Sequence, residues 1–192
     1  MNTVKTAQTK FPVLDLIKNR WSARSFMQEE IEQHDLDTVL EAASWAPSAM
    51  NEQPWEYMCA HRGTVAFDVI KNCLLSGNLP WAKEAAVLVV SIARTHYTAN
   101  QKQNTVALHD LGLANAHLIL QAQSMNIYSH IMGGFDAEKL RLVLNLNDQQ
   151  QAICIIALGY LDIPEKLEEP FKGRETQARS RKSLHEFSAN LS

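Results

Sequence analysis

Three short segments carry the residue types best suited to holding a ligand. The first is Asn19-Arg20-Trp21-Ser22-Ala23-Arg24-Ser25-Phe26. Arg20 and Arg24 bracket a serine, and two guanidiniums with a hydroxyl between them can grip a phosphate through charge-assisted, bidentate hydrogen bonds. The second runs from Ala46 to Tyr57 and sets Pro47, Ser48, Ala49 and Asn51 in a loop closed by Pro54-Trp55. Such a loop can offer backbone groups and a carboxamide to a flat heterocycle that needs both donors and acceptors. The third is Ile131-Met132-Gly133-Gly134-Phe135, where glycine lets the backbone approach a ligand closely. Each segment also has a plainer reading. An arginine pair is most often solvated surface, the proline loop can be a rigid connector with Trp55 plugging the core, and the glycine pair can be a helix-entry turn.

Other chemistries find less support. The seven histidines are scattered, without HExxH or Cys/His ligand spacing. His109 and Asp110 are adjacent, and neighbours on a helix point in different directions. His117 lies on an apolar helix and reads as a buried or interface histidine. There is no GxSxG nucleophile elbow and no Cys–His pair. No GxGxxG follows a first strand, which leaves a Rossmann nucleotide site unsupported. Cys59, Cys73 and Cys154 form no CxxC pair and are odd in number, so they read as reduced, buried thiols. A net charge of −3 argues against a nucleic-acid or acidic-membrane partner, which would favour a basic face.

The elements that must position these segments follow from apolar spacing. Helices are expected over Phe11–Asn19, Leu36–Trp45, Thr64–Leu75, Thr105–Met125 and Ala137–Leu144, with a short terminal helix over Leu184–Leu191. Strands are expected over Glu56–His61, Ala85–Ala93, Tyr128–Met132 and Ala152–Leu161. Ala85–Ala93 is almost continuously apolar, as in a strand buried on both faces. Thr105–Met125 is apolar around its whole circumference, so it must be buried on all sides. In a chain of 192 residues, a second subunit is a natural source of one of those surfaces.

The expected class is therefore α+β, with a central sheet flanked by helices in a single domain over residues 1–192. Residues 1–10 read as a polar N-terminal tail. Residues 162–192 read as an extended C-terminal arm with no core of its own. The tail lacks the apolar core of a signal peptide and no run approaches a membrane span, so the expected location is cytoplasmic.

Together the three segments resemble the nitroreductase family. That family carries Arg-x-Ser-x-Arg/Lys near its N-terminus, a Pro-Ser-x-x-Asn-x-Gln-Pro-Trp loop after a helix, a Gly-Phe turn after a late strand and a basic pair near the C-terminus. Here these are Arg20-Trp21-Ser22-Ala23-Arg24, Pro47 through Trp55, Gly133-Gly134-Phe135, and Arg179-Ser180-Arg181. The resemblance runs from about Leu14 to Phe187. It implies a mostly antiparallel central sheet and a domain-swapped homodimer with two non-covalent FMN sites at its interface.

By that resemblance, Arg20 and Ser22 hold the FMN phosphate, with Trp21 between them, and Arg179 and Arg181 join from the C-terminal arm. Arg24 lies near the flavin pyrimidine, where a cation favours the reduced ring. Pro47, Ser48, Ala49 and Asn51 line the ring from the partner subunit. Ile131, Met132, Gly133 and Gly134 pass its other side, with a glycine N–H aimed at flavin N5. No side chain is expected to act as a catalytic acid or base and no metal is expected. The implied cycle is ping-pong: NADH or NADPH reduces the flavin, which then reduces a nitroaromatic, a quinone or a similar small electrophile. The alternatives are another flavin reaction on the same fold (dehydrogenation, dehalogenation or flavin consumption) and a non-catalytic FMN-binding protein. Two departures from the family bear on the acceptor. Ala49 stands where many relatives have a second serine, and Met50 replaces a small polar residue. The polar segment 94–104 has no readable role.

Overall fold

In the computed structural model, which describes residues 3–191, four strands form one antiparallel sheet. They are β1 (Trp55–His61), β2 (Val87–Arg94), β3 (Ile127–Met132) and β4 (Gln150–Tyr160), in the spatial order β1-β2-β4-β3. The central pair is the apolar pair, as continuous hydrophobic runs require. Successive residues serve opposite faces. Leu88, Val90, Ile92, Ile155 and Ala157 enter one core, while Val87, Val89, Cys154, Ile156 and Leu158 enter the other.

Each face has its own helical cover. Helices α2 (Gln33–Ser44) and α5 (Ala107–Ser124) bury Leu36, Val39, Ala43, Ala114, Leu118 and Ala122 over one face. Their three- and four-residue spacing is one helical stripe. The other face is closed by α3 (Val65–Lys71), α4 (Leu79–Ala82) and α6 (Ala137–Val143), through Phe67, Ile70, Trp81 and Leu140. The small α1 (Asp15–Asn19) leads into the arginine segment. The arrangement is the α+β sheet flanked by helices that apolar spacing predicts. Ser91, the polar exception in β2, is fully buried and donates to Asn115 Oδ1 at 2.9 Å, which also accepts from the Tyr57 hydroxyl at 3.0 Å.

Several bounds differ from expectation for local reasons. The first helix begins at Asp15 rather than Phe11, after Leu14 in a non-helical conformation (φ −55°, ψ 139°). The third begins after Thr64, whose hydroxyl accepts from the Phe67 N–H at 3.2 Å and so fixes its start. Helix α4 is too short to leave a periodic signal. The terminal helix reduces to one 3-10 turn, Leu184–Glu186.

Helix α5 buries Ala107, Leu111, Ala114, Leu118 and Ala122 in its own chain, together with the polar Asp110, Asn115 and Gln123, while Leu108 is exposed. The C-terminal segment is more structured than a coreless arm. It forms α7 (Phe171–Thr176), sets Phe171 against the core and buries Glu175 to 1% exposure. A burial made through a charged residue leaves no apolar pattern, which is why the sequence hides it. Met1 and Asn2, in the expected tail, lie outside the described residues. Lys5 in that tail is 5% exposed and donates from Nζ to the Arg174 carbonyl at 2.6 Å.

Candidate functional site

The arginine segment leaves α1 at Arg20 in an extended conformation and continues with strand-like alternation. Trp21, Ala23 and Ser25 are buried, and Arg20, Ser22 and Arg24 are half-buried on the opposite side. Alternation is the direct result of extended backbone, in which successive side chains face opposite ways. The segment is fastened to β3 by a parallel bridge between Ser22 and Ser129 and by a 2.9 Å hydrogen bond between His130 Nδ1 and the Ala23 carbonyl. Below it, the Trp21 ring meets Tyr128 edge-on, with centroids 4.7 Å apart.

Arg20 and Ser22 open into a cavity of about 240 Å³ that is also lined by Lys5, Trp21, Arg179, Ser180 and Arg181. None of these residues is acidic. Arg179 is oriented by two carbonyls, donating from Nη1 to Lys18 at 2.8 Å and to Lys5 at 3.1 Å. Burial, and then the neighbouring Arg179 and Arg181, press the Arg20 pKa below the ordinary arginine value. Burial and Arg181 do the same to Arg179. Like charges held together at the cost of desolvation call for an anion, and the donor set suits a phosphate. The Trp21 indole faces the core at 5% exposure, so its share in the cavity wall comes with its place between Arg20 and Ser22.

Arg24 takes a different environment. Its Nη1 stands 3.8 Å from Glu175 Oε2, and its guanidinium carbon lies 5.8 Å from the centre of the Trp81 ring. It borders a larger cavity, about 400 Å³, with Phe26, Trp81 and Phe171 among the walls. That space mixes lysines with Glu84 and Glu168 and lacks the single-sign charge of the smaller one.

The proline loop stands apart. Met50, Asn51 and Gln53 have positive φ angles of 54°, 56° and 52°, a conformation that non-glycine residues adopt at some cost. Short bonds hold it. The Ala49 N–H donates to the buried Asp110 Oδ2 at 3.0 Å, and the Gln53 N–H donates to Ser48 Oγ at 3.0 Å. Asp110 Oδ1 also lies 3.1 Å from His109 Nδ1, so these two helix neighbours do meet, contrary to the sequence expectation. Pro47 and Asn51 are exposed, and Met50 is 92% exposed.

At the end of β3, Ile131 is exposed, whereas the Met132 side chain is buried in the core. Only the backbone of Met132 is free to face a ligand. The two glycines that follow differ. A Cβ at Gly133 would meet nothing within 4 Å, while one at Gly134 would come 2.8 Å from Asn78 Nδ2. The Gly134 carbonyl accepts from that same amide at 3.0 Å. Gly134 is thus packed against the Asn78 side chain, and Gly133 is the open position.

Apart from Arg24, which borders the larger cavity, the predicted residues are spread between the two edges of the sheet. Arg20, Ser22, Arg179 and Arg181 share one cavity, and the segment carrying Arg20 and Ser22 is fastened to Ser129 and His130. Pro47 through Asn51 lead into β1, the opposite edge strand from β3. Three strand spacings, roughly 14 Å, separate the two edges within one chain.

A family model described as the nitroreductase family matches residues 17–76 and 74–160. The chain belongs to the nitroreductase family. A crystal structure described as an oxidoreductase containing FMN superposes with a TM-score of 0.92 at 31% identity, covering 98% of this chain and 96% of the other. A protein of Archaeoglobus fulgidus, provisionally named an NADH dehydrogenase/NAD(P)H nitroreductase, is 26% identical over 77% of this chain and 84% of its own. The oxygen-insensitive NADPH nitroreductase of Helicobacter acinonychis is 25% identical over 75% of this chain and 85% of its own.

Against that family pattern, sequence reasoning missed Lys5, Glu175 and Asp110. Lys5 and Glu175 sit in segments read as tail and arm, and their burial leaves no apolar signature. Asp110 was legible only as half of an unexplained His-Asp pair. Among the described residues, no cluster of histidine, cysteine or acidic side chains could hold a metal, and no helix is long and apolar enough to cross a membrane.

Proposed function

We propose that this nitroreductase-family protein is an FMN-dependent oxidoreductase, working as a homodimer of single-domain chains, in which NADH or NADPH and a small electrophile use the flavin in turn. The observation that carries this reading is the carboxylate-free cavity where Arg20, Ser22, Arg179 and Arg181 converge. It suits the phosphate of FMN in charge and donor type, and the open space at Gly133 suits the approach of a flat ring. The similarity to an FMN-containing oxidoreductase supports the same cofactor.

When bound, the flavin supplies hydride acceptance from a nicotinamide and electron delivery to the second substrate. The chain's own residues do the holding. Arg20 and Ser22 grip the phosphate, and Arg179 and Arg181 close on it from the arm. The backbone from Ile131 to Gly134 would line one side of the ring. Pro47, Ser48, Ala49 and Asn51 would reach it from the partner subunit, since in their own chain they lie at the far sheet edge. The exposed Met50, Trp45 and Leu108 give such a partner an apolar surface to cover. An isologous two-fold pairing lets each chain lend its loop to the other.

Nitroaromatics and quinones are the proposed acceptors. Bleaching of the loaded flavin by NADH or NADPH, followed anaerobically by stopped-flow absorbance, tests the catalytic part. Fast bleaching by either nucleotide and recolouring by a quinone or nitroaromatic is expected. Slow bleaching by both would overturn nicotinamide-driven turnover and favour a flavin-binding role or a different flavin reaction.

A further inference from the structure

Glu175 is an anomaly of the C-terminal arm. It is 1% exposed, and its Oε1 accepts from the Trp21 indole N–H at 2.9 Å. Among the described residues its Oε2 has no hydrogen-bond partner, and the guanidinium of Arg24 stands 3.8 Å away. Burying a carboxylate with one oxygen lacking a hydrogen bond costs stability even beside an arginine, and an apolar residue of similar volume commonly does better. A role in stability alone is a poor account of this residue.

Its connections suggest another role. Trp21 lies between Arg20 and Ser22 on extended backbone, so the direction of its ring fixes the face that its two neighbours present. Glu175 pins that ring from the core side. Glu175 also lies in the last turn of the arm helix, just before the segment that brings Arg179 and Arg181 to the cavity. The residue before it is tied down as well, because the Arg174 carbonyl accepts from Lys5 Nζ, and the Lys5 carbonyl in turn accepts from Arg179.

We infer that Glu175 is a positioning residue for the anion cavity, the joint through which its two halves, Arg20/Ser22 and Arg179/Arg181, are held in register on a phosphate-bearing ligand. The inference rests on the flavin reading above and adds a residue that touches neither phosphate nor ring.

The test compares FMN with riboflavin, which has the same ring and no phosphate. Dissociation constants for both are measured by flavin fluorescence on the full-length wild type and on Glu175→Gln, Glu175→Leu and Trp21→Phe. Glutamine keeps an acceptor for the indole N–H, leucine removes it, and phenylalanine removes the donor. The wild type is expected to prefer FMN strongly. Glu175→Leu should reduce that preference by at least ~10-fold and Trp21→Phe by several-fold, with riboflavin affinity little changed, while Glu175→Gln stays within about threefold of wild type. A merely structural role would weaken both ligands alike. An unchanged preference in Glu175→Leu, or equal losses for FMN and riboflavin, overturns the inference. If Glu175→Leu does not fold, an unchanged preference in Trp21→Phe does so. A wild type that retains neither flavin overturns the proposed cofactor instead.

Discussion

The arginine cavity and the proline loop are built on opposite principles. The cavity is finished within one chain. Its backbone is bridged to β3, its tryptophan is anchored in the core, and Arg179 is aimed by two carbonyls. The loop is held in a costly conformation, with three non-glycine residues at positive φ, and yet its functional side faces outward. One region is ready for a ligand and the other is ready for a neighbour. On the proposed function, the contrast teaches how the work of binding would divide: charge recognition of the phosphate would be made in cis, and walls for the ring would be lent in trans. The open Gly133 on one edge and the exposed Asn51 on the other are complementary halves only if two chains meet.

The sharpest way to break this comparison is at the cavity. Arg20→Ala removes a charge-assisted phosphate contact and should weaken FMN binding by about 2–3 kcal/mol, near 100-fold. Fluorescence titration checks it, and a variant that purifies with full flavin occupancy would refute the phosphate assignment.

The next effect is on stability. Burial, then the positive charge of Arg24, brings the pKa of His130 down from 6.5 to about 4. The folded state therefore favours neutral imidazole more than the unfolded chain does. Stability is complete above about pH 6.5 and falls as acid protonates the unfolded chain first, levelling off below about pH 4. The loss by pH 5 should be about 2 kcal/mol. Thermal melting across this range should show that slope, and His130→Asn should flatten it.

A smaller effect is expected at the loop. Asp110→Ala takes the acceptor from the Ala49 N–H and should cost about 1–2 kcal/mol in flavin affinity. Because the phosphate contacts are untouched, FMN and riboflavin should suffer equally, the reverse of the pattern at Glu175. The smallest effect concerns salt. Raising ionic strength should weaken FMN binding several-fold and riboflavin binding hardly at all, since only the phosphate contacts are ionic. Dilution of the protein tests the trans half: flavin should be released as the dimer dissociates, and a stable monomer at micromolar concentration that holds FMN would contradict it.

Much of this was legible in the sequence. The central strands announced themselves because a strand buried on both faces is apolar at every position, as in Val87 to Val90. The motif residues were legible through their resemblance to the family's pattern, since taken singly an arginine pair reads as solvated surface and a glycine pair as a turn. Less was legible where burial is achieved by polar groups. Glu175 and Lys5 looked like solvated charges in a tail and an arm, and only the folded chain brings them to Trp21 and the Arg174 carbonyl. Gly133 and Gly134 looked alike, and their different neighbours separate an open position from a packed one. The partnership of Asp110 with Ala49 joins residues 61 apart in the chain, which no local pattern encodes.

The most direct test of the central claim is the visible absorption spectrum of the purified full-length protein, recorded after incubation with FMN and gel filtration. The account predicts twin flavin bands that travel with the protein at the elution volume of a dimer. A colourless protein that leaves added FMN in the small-molecule fraction would contradict it, and the arginine cavity would then need a different anion.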